Sequence, residues 1–219
     1  MIVKNRFILA GLTLPALLFA VCGWVHLRNG LLTNSVYPIL VQQALRAPIP
    51  AADMRAAAQI LRKAELEDSR SQFAVADAIV RTKGDVNEAK YFLDRSLSSS
   101  PASAATWTLY AQLLLPSDPQ KAATALQEAF AISPYEYFWN PERLVLAAAL
   151  WPNLDRLTRN QASQGVRGLW EDHQQRPFLL HLLGRPHGAI LVAEAYEEDP
   201  ETIRSINRWA SAERRSFGK

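Results

Sequence analysis

One cysteine, Cys22, is all that the sequence contains. That excludes an intramolecular disulfide and a cysteine-rich metal site. The composition is compatible with an oxidising compartment and with a reducing one. Catalytic signatures are missing as well: there is no HExxH, no GxxxxGK[ST] phosphate loop, no GxSxG, no CxxC and no dinucleotide fingerprint. Of the four histidines, His26 closes an apolar run, while His173, His181 and His187 are spaced eight and six apart, with Pro177 between the first two. Ligands on one helix face need spacings of three or four, so no metal site is expected. The glycines and proline of Gly184 to Gly188 read as a tight turn that carries His187. The acidic stretch EAYEEDPE (194–201) lacks the alternating oxygen donors and the glycine of a calcium loop. The reading is therefore no enzyme, no cofactor, no metal and no catalytic residues.

A one-signed charge balance is also lacking. The net +3 is carried by the two ends: Lys4, Arg6 and Arg28 without an acid at the start, and Arg204, Arg208, Arg214, Arg215 and Lys219 at the finish. The middle is net acidic, which speaks against a nucleic-acid partner. The basic tail interleaves Ile203, Ile206 and Trp209 and has amphipathic character; it reads as a solvated helix, with a lipid or acidic-partner surface as the sharper alternative.

At the amino terminus a short positive segment precedes Phe7 to Val25, nineteen residues without a charge. As a helix rising about 1.5 Å per residue this matches the roughly 30 Å of a hydrocarbon core. A cleaved signal peptide has a shorter apolar stretch and a clearer small-x-small site than Val21-Cys22-Gly23 offers. Residues 1–30 are read as an uncleaved single-pass anchor that contacts the bilayer through residues 7–25. Cleavage and a buried helix remain the alternatives. Lys4 and Arg6 place the amino terminus in the cytoplasm and the rest outside it, in the periplasm if the host is Gram-negative.

Residues 31–51 read as a spacer with one short helix, SVYPILVQQALRA, ended by Pro48-Ile49-Pro50. Beyond it no stretch alternates with period two. Apolar residues recur at three and four, as in Phe73, Ala76 and Val80, so the fold class is all-α. Within it there is an echo. Asp85, Ala89, Leu93, Ser96, Leu97 and Pro101 recur thirty-three positions later as Asp118, Ala122, Leu126, Ala129, Phe130 and Pro134. Asp53, Ala57, Leu61 and Ala64 precede them at an offset of thirty-two.

Residues 105–134 and, more loosely, 71–101 resemble the tetratricopeptide repeat: a large residue, leucine and a small residue, a turn, then alanine, aromatic or leucine, alanine and a closing proline. Asp77 stands where that pattern has a small residue, and the second repeat is one residue short near Pro116. The resemblance implies helical hairpins over residues 52–140, with Ala89 and Ala122 at close helix contacts. Residues 141–219 are expected to form a helical cap: a pair broken at Trp151-Pro152, then shorter helices broken at Gly184 to Gly188 and at Asp199-Pro200.

The family generally holds its ligands on a concave face lined by the first helix of each hairpin. Carried over, that face is Ser71, Ala74, Ala78 and Arg81 in one repeat and Ala105, Thr108, Gln112 and Leu115 in the next. It lacks the carboxylate clamp of the chaperone-binding members. The expected function is a membrane-anchored scaffold or assembly factor acting outside the cytoplasm on other envelope proteins. Systems for cell-surface polysaccharide synthesis or export are favoured. The competing readings are a hydrolase or lyase using Glu142, Asp172 or His187, and a structural subunit with an apolar patch near residues 178–196.

Overall fold

The computed structural model describes residues 24, 27–28, 30–31, 34–43, 48–63 and 68–217. The apolar run 7–25 lies outside them except for Trp24, and so does Ala64. Among the described residues no helix is long and apolar enough to cross a membrane, and there is no strand. The helices are α1 (34–43), α2 (Ala51–Lys63), α3 (Ser69–Arg81), α4 (Val86–Ser99), α5 (Ala104–Leu114), α6 (Pro119–Ile132) and α7 (Asn140–Leu150). They continue as α8 (Arg156–Glu171), α9 (Phe178–Leu183), α10 (Gly188–Ala195) and α11 (Pro200–Phe217). A 3-10 turn at Trp151–Asn153 separates α7 from α8, at the break the sequence predicts.

Local chemistry sets the boundaries. The Asp85 carboxylate accepts from the Glu88 amide at 2.8 Å, and Asp118 accepts from Lys121 at 3.0 Å, so each caps the second helix of a hairpin. At the far ends the amides of Ser100 and Ser133 donate to the carbonyls of Ser96 and Ala129. The thirty-three-residue echo is thus a structural one, extending to caps at both ends. Ala89, Leu93, Ala122 and Leu126 are all fully buried. α3 packs on α4 and α5 on α6, giving two consecutive hairpins of like construction.

The turn between α3 and α4 departs from expectation in one respect. Lys83 adopts a left-handed backbone, φ 54°, while Gly84 does not. The Gly84 amide closes the turn onto the Ile79 carbonyl at 2.8 Å, a Schellman-type ending in which the left-handed position is usually glycine.

The stretch read as a spacer belongs to the folded body. Val36 of α1 is buried with Met54, Ala57 and Leu61 of α2 and with Ala74, Val75, Ala78 and Ile79 of α3. Gln43 is buried too, and its amide donates to the Ala74 carbonyl at 3.0 Å and to the Asp77 carboxylate at 2.7 Å. This explains the residue that breaks the repeat pattern. Asp77 is needed because Gln43 and Arg81, whose Nε lies 3.0 Å from Asp77 Oδ2, both converge on it.

The C-terminal helices share one core with the second hairpin: Leu126 and Phe130 cluster with Leu144, Leu169, Leu179, Leu191 and Ile206. α7 crosses α8 closely. A Cβ on Gly165 would meet Asn140 Oδ1 at 2.8 Å, and the Gly165 carbonyl accepts from Asn140 Nδ2 at 3.2 Å. Gly188 permits a comparable approach, since a Cβ there would collide with the Leu182 carbonyl oxygen. α11 is an eighteen-residue helix rather than a short one. It packs Ile206 and Ala210 inward, with Trp209 edge-on to Trp170 at 5.9 Å. The apolar side of the basic tail is therefore taken up by the core.

Candidate functional site

α3 and α5, the first helices of the two hairpins, start beside one another, and α1 lies against them. Tyr37, Leu40 and Val41 of α1, Phe73 and Ala74 of α3, and Ala105 of α5 wall a groove of about 610 Å³ there. Its floor and rim are polar: Asp68, the α3 cap, and Arg70, Ser71, Ser103 and Thr106. α7 continues the row, because Arg143 Nε donates to Thr108 Oγ1 of α5 at 2.9 Å and Trp139, at the start of α7, meets Phe73 edge-on at 5.8 Å.

Beyond α5 a second cleft of about 340 Å³ opens between α5, α7 and α9. Gln112 and Leu115 form one side, Glu142 and Val145 a second, and Phe178, His181 and Arg185 the third. A third, more polar opening of about 710 Å³ runs between α8 and α10, past Asn160, Gln164, Arg167, Glu194 and Glu197. Nothing in the repeat pattern singles it out.

The residues carried over from the repeat resemblance divide among these places. Ser71, Ala74 and Ala105 line the first groove, and Gln112 and Leu115 the second. Ser71, Ala74, Ala78 and Thr108 are nonetheless buried. α1 and α2 pack against α3, which removes most of Ala74 and Ala78 from solvent. Thr108 is enclosed by Arg143 and bonds back to the Ala104 carbonyl at 2.8 Å. Arg81 is held by Asp77.

The buried arginine is invisible to pattern reading. Arg143 is fully buried and donates from Nη1 to the Ser133 carbonyl and from Nη2 to Glu136 Oε2 at 2.8 Å, besides Thr108. Burial lowers its pKa, and the Glu136 carboxylate opposes that shift. Its three partners belong to different elements, so its role is to tie α5, the end of α6 and α7 together.

The residues of the hydrolase reading do not converge. Glu142 lines the second cleft, whereas His187 is 3.2 Å through Nδ1 from the Ala148 carbonyl. Asp172 accepts from the Gln174 amide at 2.8 Å, and that bond, with one from Tyr137, lowers its pKa. The histidine that lines the second cleft with Glu142 is His181 instead. Among the described residues no three His, Cys, Asp or Glu side chains gather as metal ligands. The exposed large apolar residues between 178 and 196 are Phe178 and Ile190, which line different openings.

Loop 133–139 adds a feature that the sequence reading lacks. Tyr135, Tyr137 and Phe138 are exposed there, with Tyr137 and Phe138 edge-to-face at 5.2 Å. Burial, and after it the charge of Asp172, raises the Tyr135 pKa. The density of aromatic residues in YEYFW was the available signal. Compared with known proteins, the chain matches no family model, no curated protein and no solved structure.

Proposed function

We propose that the protein is a membrane-anchored, tetratricopeptide-like scaffold that works outside the cytoplasm, holding a segment of another envelope protein in the groove between α1, α3 and α5. The observation that carries this reading is the groove itself. α1 and the first helices of the two hairpins, α3 and α5, present Tyr37, Leu40, Val41, Phe73 and Ala105 around a polar floor. Apolar walls with a few placed polar groups suit a helix or an extended peptide. The anchor is the apolar run 7–25, and systems for cell-surface polysaccharide synthesis or export are the first place to seek the partner. Replacing Ala105 with tryptophan would fill the groove from a half-buried position. The expected outcome is loss of co-purifying envelope proteins from detergent-solubilised native membranes with the melting temperature retained; full retention of the same proteins would exclude the groove as their site.

A second reading, a hydrolase or lyase, is supported by Glu142 and His181 lining one cleft. It requires a chemical step that Glu142→Gln abolishes.

A further inference from the structure

Four exposed aromatic side chains, Tyr37, Tyr135, Tyr137 and Phe138, gather at one end of the domain, while Tyr91 and Phe178 are exposed on α4 and α9. α3, α5 and α7 begin there, and α1 lies against the start of α3, as the shared groove and the Phe73–Trp139 contact place them. Loop 133–139, just before α7, brings Tyr135, Tyr137 and Phe138 to the same end, and Tyr37 of α1 is 59% exposed. The chain coming from the anchor is fixed to this end too. Arg28 Nη2 donates at 3.3 Å to the carbonyl of Lys63, the last residue of α2, next to the start of α3.

Trp24, Leu27 and Leu31 are helical and exposed at 66%, 56% and 64%, and their spacing of three and four puts them on one face. Ten residues separate Trp24 from Asn34, the first residue of the described run 34–43, and a helix of that length rises roughly 15 Å.

We infer that this end of the domain rests on the bilayer, with Tyr37, Tyr135, Tyr137 and Phe138 in the head-group interface and the stripe Trp24, Leu27 and Leu31 leading into the acyl region. Aromatic rings with polar tips favour that depth, and an exposed apolar stripe adjoining a membrane segment is covered by lipid. Electrostatic attraction is not the cause. Charges of both signs stand at this end, Glu171 and Asp172 near Tyr135 and Arg70 and Arg28 at the groove and beside Lys63, so their effects on anionic head groups offset one another. The seating is accordingly insensitive to salt. This inference rests on the anchor of the proposed function, and it confines the groove's occupant to a segment emerging next to the membrane.

The test uses the full chain with Cys22→Ser as background, reconstituted in phosphatidylethanolamine–phosphatidylglycerol vesicles that carry a nitroxide near the lipid head group or, for the label at residue 17, at the end of an acyl chain. Single cysteines replace Phe138, Tyr37, Ile190 or Leu17, each bearing an environment-sensitive fluorophore, and melting curves establish that each variant folds. Loss of fluorescence at 17, 37 and 138 but not at 190, unchanged by salt, is the expected result. Quenching at 17 with 37 and 138 behaving like 190 overturns the seating and leaves the anchor standing. Absence of quenching at 17 removes the anchor and the seating with it.

Discussion

Lys83 is the residue whose backbone conformation runs most plainly against its side chain. A left-handed φ of 54° disfavours any residue with a Cβ, and only part of that cost is offset by the larger entropy that glycine loses on folding. Lys83→Gly is therefore expected to raise stability by about 1 kcal/mol or less, read from denaturant unfolding; a loss would show that the turn is not built as described. The capping aspartates make a pH prediction. The Lys121 amide lowers the pKa of Asp118, and the Thr202 hydroxyl, then its amide, lowers that of Asp199, both from an ordinary 3.8. A carboxyl depressed in the folded state stabilises above its unfolded value, and that stability is lost as pH falls through the folded value. Asn in both positions keeps a cap without the charge. The double variant is expected to lose less melting temperature than wild type between about pH 6 and about pH 3, and equal losses would contradict the assignment. Capping is local, an aspartate three residues before the amide it accepts from, yet the sequence reading takes Asp118 only as part of the echo and Asp199 only as a break with Pro200. Burial at Ser71, Ala78 and Thr108 was not legible, because what covers them comes from α1, α2 and Arg143, elsewhere in the chain.

At the scale of elements, the sequence predicts α1 as a short helix but places it in a spacer. Its ten described residues, 34–43, carry no copy of the repeat pattern, so only contact with α3 reveals its place. The Gln43–Asp77 bond makes that docking measurable. Asp77 is 1% exposed and accepts from an amide donor thirty-four positions away. A double-mutant cycle on Gln43→Ala and Asp77→Ala is expected to give a coupling energy of about 1–3 kcal/mol, the range for a buried hydrogen bond to a charged group. A coupling near zero would place α1 off the domain. The hairpins α3–α4 and α5–α6 were readable in advance, since Ala89, Leu93, Ala122 and Leu126 lie at one spacing and all become fully buried. α9, α10 and α11 have no such internal copy. Their boundaries follow from proline and glycine, but their common core with α6 to α8 is a non-local result.

For the whole molecule, the proposed function assigns one working face to the starts of α3, α5 and α7, the groove beside them and the exposed aromatic loop. Both halves of the functional reading meet there: an anchor that brings this end to the membrane and a groove that holds a partner beside it. Of the residues proposed from the repeat pattern, Ser71, Ala74 and Ala105 reach the groove, while Tyr37, Leu40 and Val41 come from a helix outside the pattern. The measurement that bears most directly on the account is site-specific photo-crosslinking in native membranes, with the photoreactive residue at Val41, which is 38% exposed in the groove, and a control at Ile190 between α8 and α10. The expected result is a discrete adduct from residue 41 alone, mapping to a segment of an envelope protein next to its own membrane span. Adducts equal from both positions, or none from residue 41, would contradict a groove-binding scaffold.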